Sequence, residues 1–461
     1  MTDPDVASWR EELRDLPDAM HTTPELAPIL SGTGRVRRML DVEVALARAE
    51  ARAGIITPAV AEEIASAAAR IEPDVPRLSD ASAVAGAIAL PVVAALRDAV
   101  GDEARRAVHL GATSQDIIDT ATVLQVRDAL QVMERDLADA GDAAATLARA
   151  HRDTPMIGRT LLQQAVPVTF GLKAAGWLGG ITRQLDAFAR LRRDALCLQF
   201  GGAAGTLASL GDQGIEVMEL LGEELELPVP PAPWHGERSR IGEIAGTLAT
   251  TSGVMAKIAT DVVLLMQNEV AEVAEGGGEG KGKSSTMPNK TNPVETMAVL
   301  ASDRLAQAQA GVLLAALPQQ HERAIGPWQA EWTAVPTCCR LVGAAIARIR
   351  VTLAELEVDA ERMAANLEAS QGFPLAESLA TALTPELGKP NAYRLLADLC
   401  ERAHANGQHL REAALTDERV RAVLSEEAVV GVLTPSAYLG ASGRLVDRSL
   451  AAFEQRRRST R

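Results

Sequence analysis

An all-helical fold is predicted, and three observations predict it. Apolar residues recur at spacings of three and four over stretches far too long for strands. No stretch alternates apolar and polar residues at a period of two. Aromatic residues make up only 3 % of a chain that is 47 % apolar, mostly Ala, Leu and Val, a composition suited to helices packed closely through small side chains.

Taken in order, residues 39–53 (MLDVEVALARAEARA) read as an amphipathic helix closed by Gly54. Residues 60–70 read as another, and helix–turn–helix patterning continues to about residue 106, giving a small helical domain over residues 1–108. From Asp116 to about residue 152 no proline interrupts, and Ile117, Ala121, Leu124, Leu130, Leu137, Ala140 and Leu147 fall near a 3.5-residue repeat. That is about 50 Å of helix. Residues 240–275 are cleaner: Ile244, Leu248, Thr251, Met255, Ile258, Val262 and Leu265 alternate spacings of four and three, an a/d seam. Residues 294–317 and 338–356 add further long helices. Together they form a central body over residues 109–360, followed by a shorter-helix segment of mixed charge, residues 361–461. Helices of this length predict a bundle whose seams are buried between subunits as well as within one.

Composition also excludes. A net charge of −15 argues against nucleic acid or an anionic membrane as partner. No fully apolar run approaches the ~18 residues of a membrane helix, and the N-terminal MTDPDVASWREELRD is acidic and polar, unlike a signal peptide. A cytoplasmic location is expected. Cys197, Cys338, Cys339 and Cys400 show no C-x-x-C spacing, so reduced, buried thiols are expected. No His/Cys/Asp/Glu cluster has metal-ligand spacing and no dinucleotide fingerprint occurs, so neither metal nor cofactor is expected.

Three polar stretches interrupt the helices. Residues 276–293 (GGGEGKGKSSTMPNKTNP) join a glycine run to a proline-bracketed turn. Such a loop suits a mobile lid with a shaped tip. The tip offers Ser284 and Ser285 as proton carriers or nucleophiles, Lys290 as a cation and Asn292 as an amide. Residues 277–284 also satisfy the phosphate-loop pattern G-x-x-x-x-G-K-[ST], with Lys283 as its cation. That motif requires a preceding strand and a helix opening at Lys283-Ser284, whereas a helical pattern precedes it and Pro288 and Pro293 follow. Residues 108–116 (VHLGATSQD) stand just before the long helix, where Thr113 and Ser114 can cap it or, with free helix amides, hold a carboxylate. Residues 158–167 (GRTLLQQAVP) read as a turn leading into a helix.

Residues 284–293 resemble S-S-x-M-P-x-K-x-N-P, the signature loop of the fumarase/aspartase superfamily. His109 to Asp116 resembles its H-x-G-x-T-S-x-D segment, and Gly158-Arg159-Thr160 its G-R-T segment. The resemblance runs from about residue 39 to about residue 445. It implies a three-domain all-α fold with a central long-helix bundle, a homotetramer, and sites assembled from three stretches on three subunits. It further implies a small polycarboxylate substrate and an enediolate intermediate, which needs preorganised donors. Ser285, with Ser284 as second candidate, is the implied proton carrier, since a cation and amides nearby can steady its alkoxide. Lys290 and Asn292 are the implied enediolate donors. Thr113 and Ser114 would take a second carboxylate, His109 would line the site, and Thr160, Gln164 and Met287 belong to the substrate set. Arg159, Arg238, Arg240 and Arg323 would supply the cations that fix a polycarboxylate's pose.

Many members follow the threonine of G-R-T with a catalytic histidine; this chain has Leu161, so no imidazole can act there. The bacterial 3-carboxy-cis,cis-muconate cycloisomerases lack that histidine too, and residues 167–173, 199–207 and 328–332 are similar to theirs. The implied reaction is lactonisation of 3-carboxymuconate in the protocatechuate branch of aromatic catabolism. The alternative is elimination of nitrite or an amine from a substituted succinate of nitrosuccinate, adenylosuccinate or argininosuccinate type, giving fumarate. A catalytically silent homologue is a third reading, opposed by retention of Ser285, Lys290 and Asn292. The chain departs from the pattern at Lys283 (for glycine), Asn289 and Thr291 (for the cycloisomerases' histidine and arginine) and Ser239 (for a common aspartate). These departures bear on substrate choice, not on family.

Overall fold

A computed structural model describes residues 16–278 and 281–458. The N-terminal MTDPDVASWREELRD and two residues of the 276–293 loop therefore lie outside the described residues. Among the described residues the regular structure is helical apart from four short strands. It divides into two compact units: Met1–Leu137, Gln184–Ala256 and Met297–Arg348, and Ala138–Arg183, Lys257–Thr296 and Ile349–Arg461.

The first unit is built on the helix Gly32–Arg52, against which Pro58–Arg70 and Gly214–Leu225 pack. It starts seven residues earlier than the periodicity indicated, because the Ser31 hydroxyl accepts the Gly34 N–H at 2.9 Å and caps it. Gly34 hid that start, yet glycine is required: a Cβ there would lie 2.2 Å from the Pro28 carbonyl oxygen. Val36, Met39, Leu40, Leu46 and Ala47 make the buried face, and two acids share it. Glu43 is 2 % exposed and Glu50 0 % exposed. Neither oxygen of Glu50 meets a hydrogen-bond partner. Burial, and then the charge of Glu43, pushes the Glu50 carboxyl up to about 9, so it is a neutral acid at neutral pH.

The long helices are Ser114–Ala150, Ser239–Leu265, Val294–Ala315 and Pro327–Glu355. The helix Ser239–Leu265 ends with its a/d seam at Leu265, ten residues short of the expected end at residue 275. There the backbone turns: the Val270 and Ala271 amides both donate to the Gln267 carbonyl, and Ala271 takes φ 51°. Pro327–Glu355 begins eleven residues before the expected start at residue 338 and carries Pro336 in its interior. Ser239–Leu265 is long and apolar enough to cross a membrane once two charged residues are tolerated, but half of its most apolar stretch is buried inside the protein. That is how a bundle-core helix reads. All four cysteines are free; Cys197, Cys338 and Cys339 are buried and Cys400 half-buried.

In the second unit, Pro155–Thr160 and Gln163–Thr169 pair as an antiparallel hairpin from Pro155↔Thr169 to Thr160↔Gln163, where a turn into a helix was expected. The hairpin contains a bulge between Ile157 and Arg159. Gly158 occupies it because a Cβ would lie 2.4 Å from the Val166 carbonyl oxygen. The tip is unusual: Leu161 and Leu162 sit at φ 51° and 61°, and are 96 % and 77 % exposed. Val273–Ala274 pairs with Glu357–Val358 in a second two-stranded sheet. Toward the C-terminus, Leu379, Leu383, Leu399, Leu410 and Val429 centre a separate apolar cluster.

Replacing Glu50 tests the buried acid. Between the unfolded value near 4.5 and the folded value near 9, the unfolded chain releases this proton while the folded chain keeps it. The unfolded state then binds fewer protons, and stability falls as pH rises through that window. Glu50→Gln removes this slope. Its melting temperature relative to the parent should therefore increase between about pH 5 and pH 8; a constant difference across that range would show that Glu50 is ionised in the fold.

Candidate active site

In the first unit the candidate residues gather around the N-terminus of Ser114–Ala150. The chain reaches it through His109 at φ 65° and Gly111 at φ 73°. Thr113 and Ser114 remain half-exposed, whereas the next residues, Gln115 to Ala121, are buried. Asp116, in the first turn, accepts the Thr113 N–H at 2.9 Å, the carboxylate half of a capping box. The same carboxylate accepts Gln199 Nε2 (3.1 Å), Gly201 N–H (3.0 Å) and Gly202 N–H (2.9 Å), and lies 2.7 Å from His235 Nε2. The glycine loop is thereby fixed beside the helix start. Gly202, at φ 70°, allows the closeness: a Cβ would meet the Gly111 carbonyl oxygen at 2.9 Å.

Arg323 joins this set, with Nε on Gln115 Oε1 at 3.2 Å and a terminal nitrogen on the Ala203 carbonyl at 3.0 Å. Arg240 is half-buried, 3.4 Å from Glu237. Arg238, grouped with the substrate cations on sequence, faces the interior instead. It is 2 % exposed, donates to both Asp119 oxygens (2.7 and 3.2 Å) and to Glu331, and stacks over Trp234. Burial alone would lower its pKa, but Asp119 and Glu331 override burial and raise it. Its donors are committed to the core, and its role in this structure is to tie that core together.

In the second unit, residues 281–293 form a small closed loop. Asn292 N–H donates to the Gly282 carbonyl at 2.7 Å, Lys283 pairs with Thr291, and Ser284 N–H donates to the Lys290 carbonyl at 3.2 Å. Gly282, at φ 67°, is obligatory, since a Cβ would lie 2.4 Å from the Asn292 carbonyl oxygen. The two serines differ. Ser284 Oγ accepts the Thr286 and Met287 amides at 3.3 and 3.1 Å and shapes the turn. Ser285 is exposed and makes no hydrogen bond among the described residues. Met287 and Lys290 are exposed beside it and Asn292 is half-buried. No helix opens at Lys283-Ser284; the next begins at Val294, so the phosphate-loop match lacks its anion-binding geometry.

Glu275 anchors the far end of that loop: it accepts the Glu295 and Thr296 amides at 3.1 and 2.8 Å and the Thr296 hydroxyl at 2.6 Å. Arg159 is held bidentately by the buried Glu272 at 2.9 and 2.8 Å, and Asn366 also donates to Glu272. Thr160 and Gln164 flank the hairpin tip, Gln164 opposite Arg159. Sequence reading missed Glu43, Asp116, His235, Glu272 and Glu275 as organisers. Two of them left a signal: Glu43 is an acid on the apolar face of a helix, and Asp116 closes the H-x-G-x-T-S-x-D segment. No group of three or more His, Cys, Asp or Glu suited to a metal occurs among the described residues.

One unit carries a helix N-terminus with half-exposed hydroxyls, and the other a loop tip of serine, lysine and asparagine; both are groups suited to a lyase. Comparison with known proteins agrees. A family described as lyase matches residues 19–303, and one described as adenylosuccinate lyase C-terminus matches residues 372–449. The chain is 46 % identical to a 3-carboxy-cis,cis-muconate cycloisomerase of Bradyrhizobium diazoefficiens, covering 94 % of this chain and 99 % of that one. It is 38 % identical to a nitrosuccinate lyase of Streptomyces davaonensis, covering 92 % and 94 %. The crystal structure of 3-carboxy-cis,cis-muconate lactonizing enzyme from Pseudomonas putida superposes with a TM-score of 0.90 at 42 % identity, covering 96 % and 99 %. The chain belongs to the fumarase/aspartase superfamily and is an enzyme of its lyase and cycloisomerase class.

The Arg238 cluster gives a sharp expectation. Arg238→Met leaves Asp119 and Glu331 facing each other without their cation, which costs about 3–5 kcal/mol of stability. Denaturant unfolding should register that loss; a change below about 1 kcal/mol would mean that the two acids are satisfied without Arg238.

Proposed function

We propose that the protein closes 3-carboxy-cis,cis-muconate to its lactone, acting as a cytoplasmic homotetramer in aromatic catabolism. The observation that carries this reading is the near full-length similarity to proteins of that name, at higher identity than to the nitrosuccinate lyase. In the reaction an oxygen of the substrate's own carboxylate bonds to an alkene carbon. The π electrons move toward the neighbouring carbon and its carboxylate, giving an enediolate. One proton, drawn from solvent, then adds to that carbon. Ser285 delivers the proton, and Lys290 and Asn292 steady the enediolate, donors matched to charge that exists only along the reaction path. Thr113, Ser114 and the helix amides hold a second carboxylate together with His109, Arg323 and Arg240. The stretch with Thr160 and Gln164 and the signature loop with Met287 reach the substrate from other subunits of the tetramer.

Two apolar surfaces support assembly. On Val294–Ala315, Met297, Leu305 and Val312 lie exposed at spacings of eight and seven, one stripe of the helix. The hairpin tip presents two leucines to solvent in a conformation that costs about 1 kcal/mol or more per residue. Other copies of the chain would cover both. Light scattering at micromolar concentration should give four times the chain mass of 48.6 kDa; a monomer would leave these surfaces unexplained and overturn the assembly.

The reaction is tested by ultraviolet absorbance in two cuvettes, one with 3-carboxymuconate and one with substituted succinates. Loss of the diene signal is expected in the first. Appearance of fumarate in the second, with the diene untouched, would transfer the assignment to elimination. Asn289 and Thr291, which replace the cycloisomerases' ionisable pair, keep that second reading in view. On the active substrate, Ser285→Ala should lower kcat by about 10²–10⁴-fold with substrate binding kept. Near-full turnover in Ser285→Ala with loss in Ser284→Ala would reverse the two serines' roles.

A further inference from the structure

Two features converge on His109. Its backbone lies at φ 65°, in the left-handed region, a strain that a fold keeps where the side chain's position matters. Its ring is engaged on one side only. Nδ1 lies 2.6 Å from Oε1 of Glu43, whereas Nε2 has no hydrogen-bond partner among the described residues, and the ring remains 12 % exposed. His235, the other histidine of this unit paired closely with a carboxylate, is the reverse case. It is buried, and its Nε2 is the atom committed to Asp116.

Glu43 is suited to fixing a ring. A carboxylate only accepts hydrogen bonds, so it enforces a proton on the nitrogen that faces it. Glu43 is buried on a helix of twenty-one residues, which removes its freedom to move. Glu50, two turns along the same face, has its carboxyl pushed up by burial and then by Glu43.

We propose that Glu43 is a positioning residue for the reaction: it locks His109 as the tautomer protonated on Nδ1 and thereby makes Nε2 the nitrogen presented to the substrate. The role of His109 at the substrate rests on the function proposed above; the lock itself is a property of the free protein. With no imidazole possible at Leu161, His109 offers a ring nitrogen, Nε2, that has no hydrogen-bond partner among the described residues. Glu43→Gln is the informative change, because an amide is nearly isosteric yet can accept from Nδ1–H or donate to a bare Nδ1.

Nitrogen-15 spectra of histidine-labelled protein at mildly alkaline pH should show His109 with Nδ1 protonated and Nε2 bare, and a mixture of both tautomers in Glu43→Gln. On the active substrate, Glu43→Gln should lower kcat by about 10- to 100-fold with KM little changed. In a His109→Asn background the same change should add nothing further, since its effect passes through the ring. The proposal is overturned if wild-type His109 carries its proton on Nε2, a result that needs no variant to fold. It is overturned equally if Glu43→Gln keeps the wild-type tautomer and full kcat, or if its loss adds undiminished to that of His109→Asn. Should the wild type turn over neither 3-carboxymuconate nor a substituted succinate, the functional reading fails by itself, and the nitrogen spectra still decide the lock.

Discussion

The Asp116 carboxylate is the point on which the first unit's site depends. A carboxylate has about four lone-pair positions to offer. This one serves the Thr113, Gly201 and Gly202 amides, the Gln199 side chain and His235. These partners come from the helix start, the glycine loop and the segment before the next long helix, pieces with no local reason to meet. Because one group sets all three, the hydroxyls of Thr113 and Ser114 stand in a fixed relation to the loop backbone. Preorganisation of this kind is what separates a carboxylate-binding helix end from an ordinary capped one.

The second unit applies the same economy to the signature loop. Its bonds are internal: Gly282 to Asn292, Ser284 to Lys290, and the Ser284 hydroxyl to two amides of its own turn. Adjacent serines are therefore not interchangeable. One spends its oxygen on shape, whereas the other is exposed and makes no hydrogen bond among the described residues. Glu275 secures the loop's exit by capping the helix that follows, so a residue with no contact to the reaction sets where the loop ends.

Much of this was legible in the sequence, and the gaps have physical causes. Long helices showed in the spacing of Leu, Ile and Val, and the family showed in the order of residues 284–293. The early start of Gly32–Arg52 was hidden by Gly34, which allows a close approach to Pro28, and by a cap whose partner is a backbone amide. The hairpin at residues 155–169 was hidden because Leu161 and Leu162 occupy a tight turn that usually takes Asn or Gly. Isolated arginines are the hardest case. Arg238 and Arg323 look alike in one dimension, and only the acids brought from elsewhere, Asp119 and Glu331, make one of them a core residue.

That core arginine also bears on the order of folding. Asp119 lies 119 residues before Arg238, and Glu331 lies 93 residues after it. During synthesis Asp119 emerges first and Arg238 next, while the last acid is still unmade; Trp328, which donates to Asp119 at 3.0 Å, arrives only with it. The first unit thus cannot close its interior until nearly three quarters of the chain exists. Contacts of such long range are slow to form. The nascent chain must meanwhile keep charged and apolar faces of finished helices in solution, a demand that falls on the folding pathway and leaves no mark on the finished enzyme.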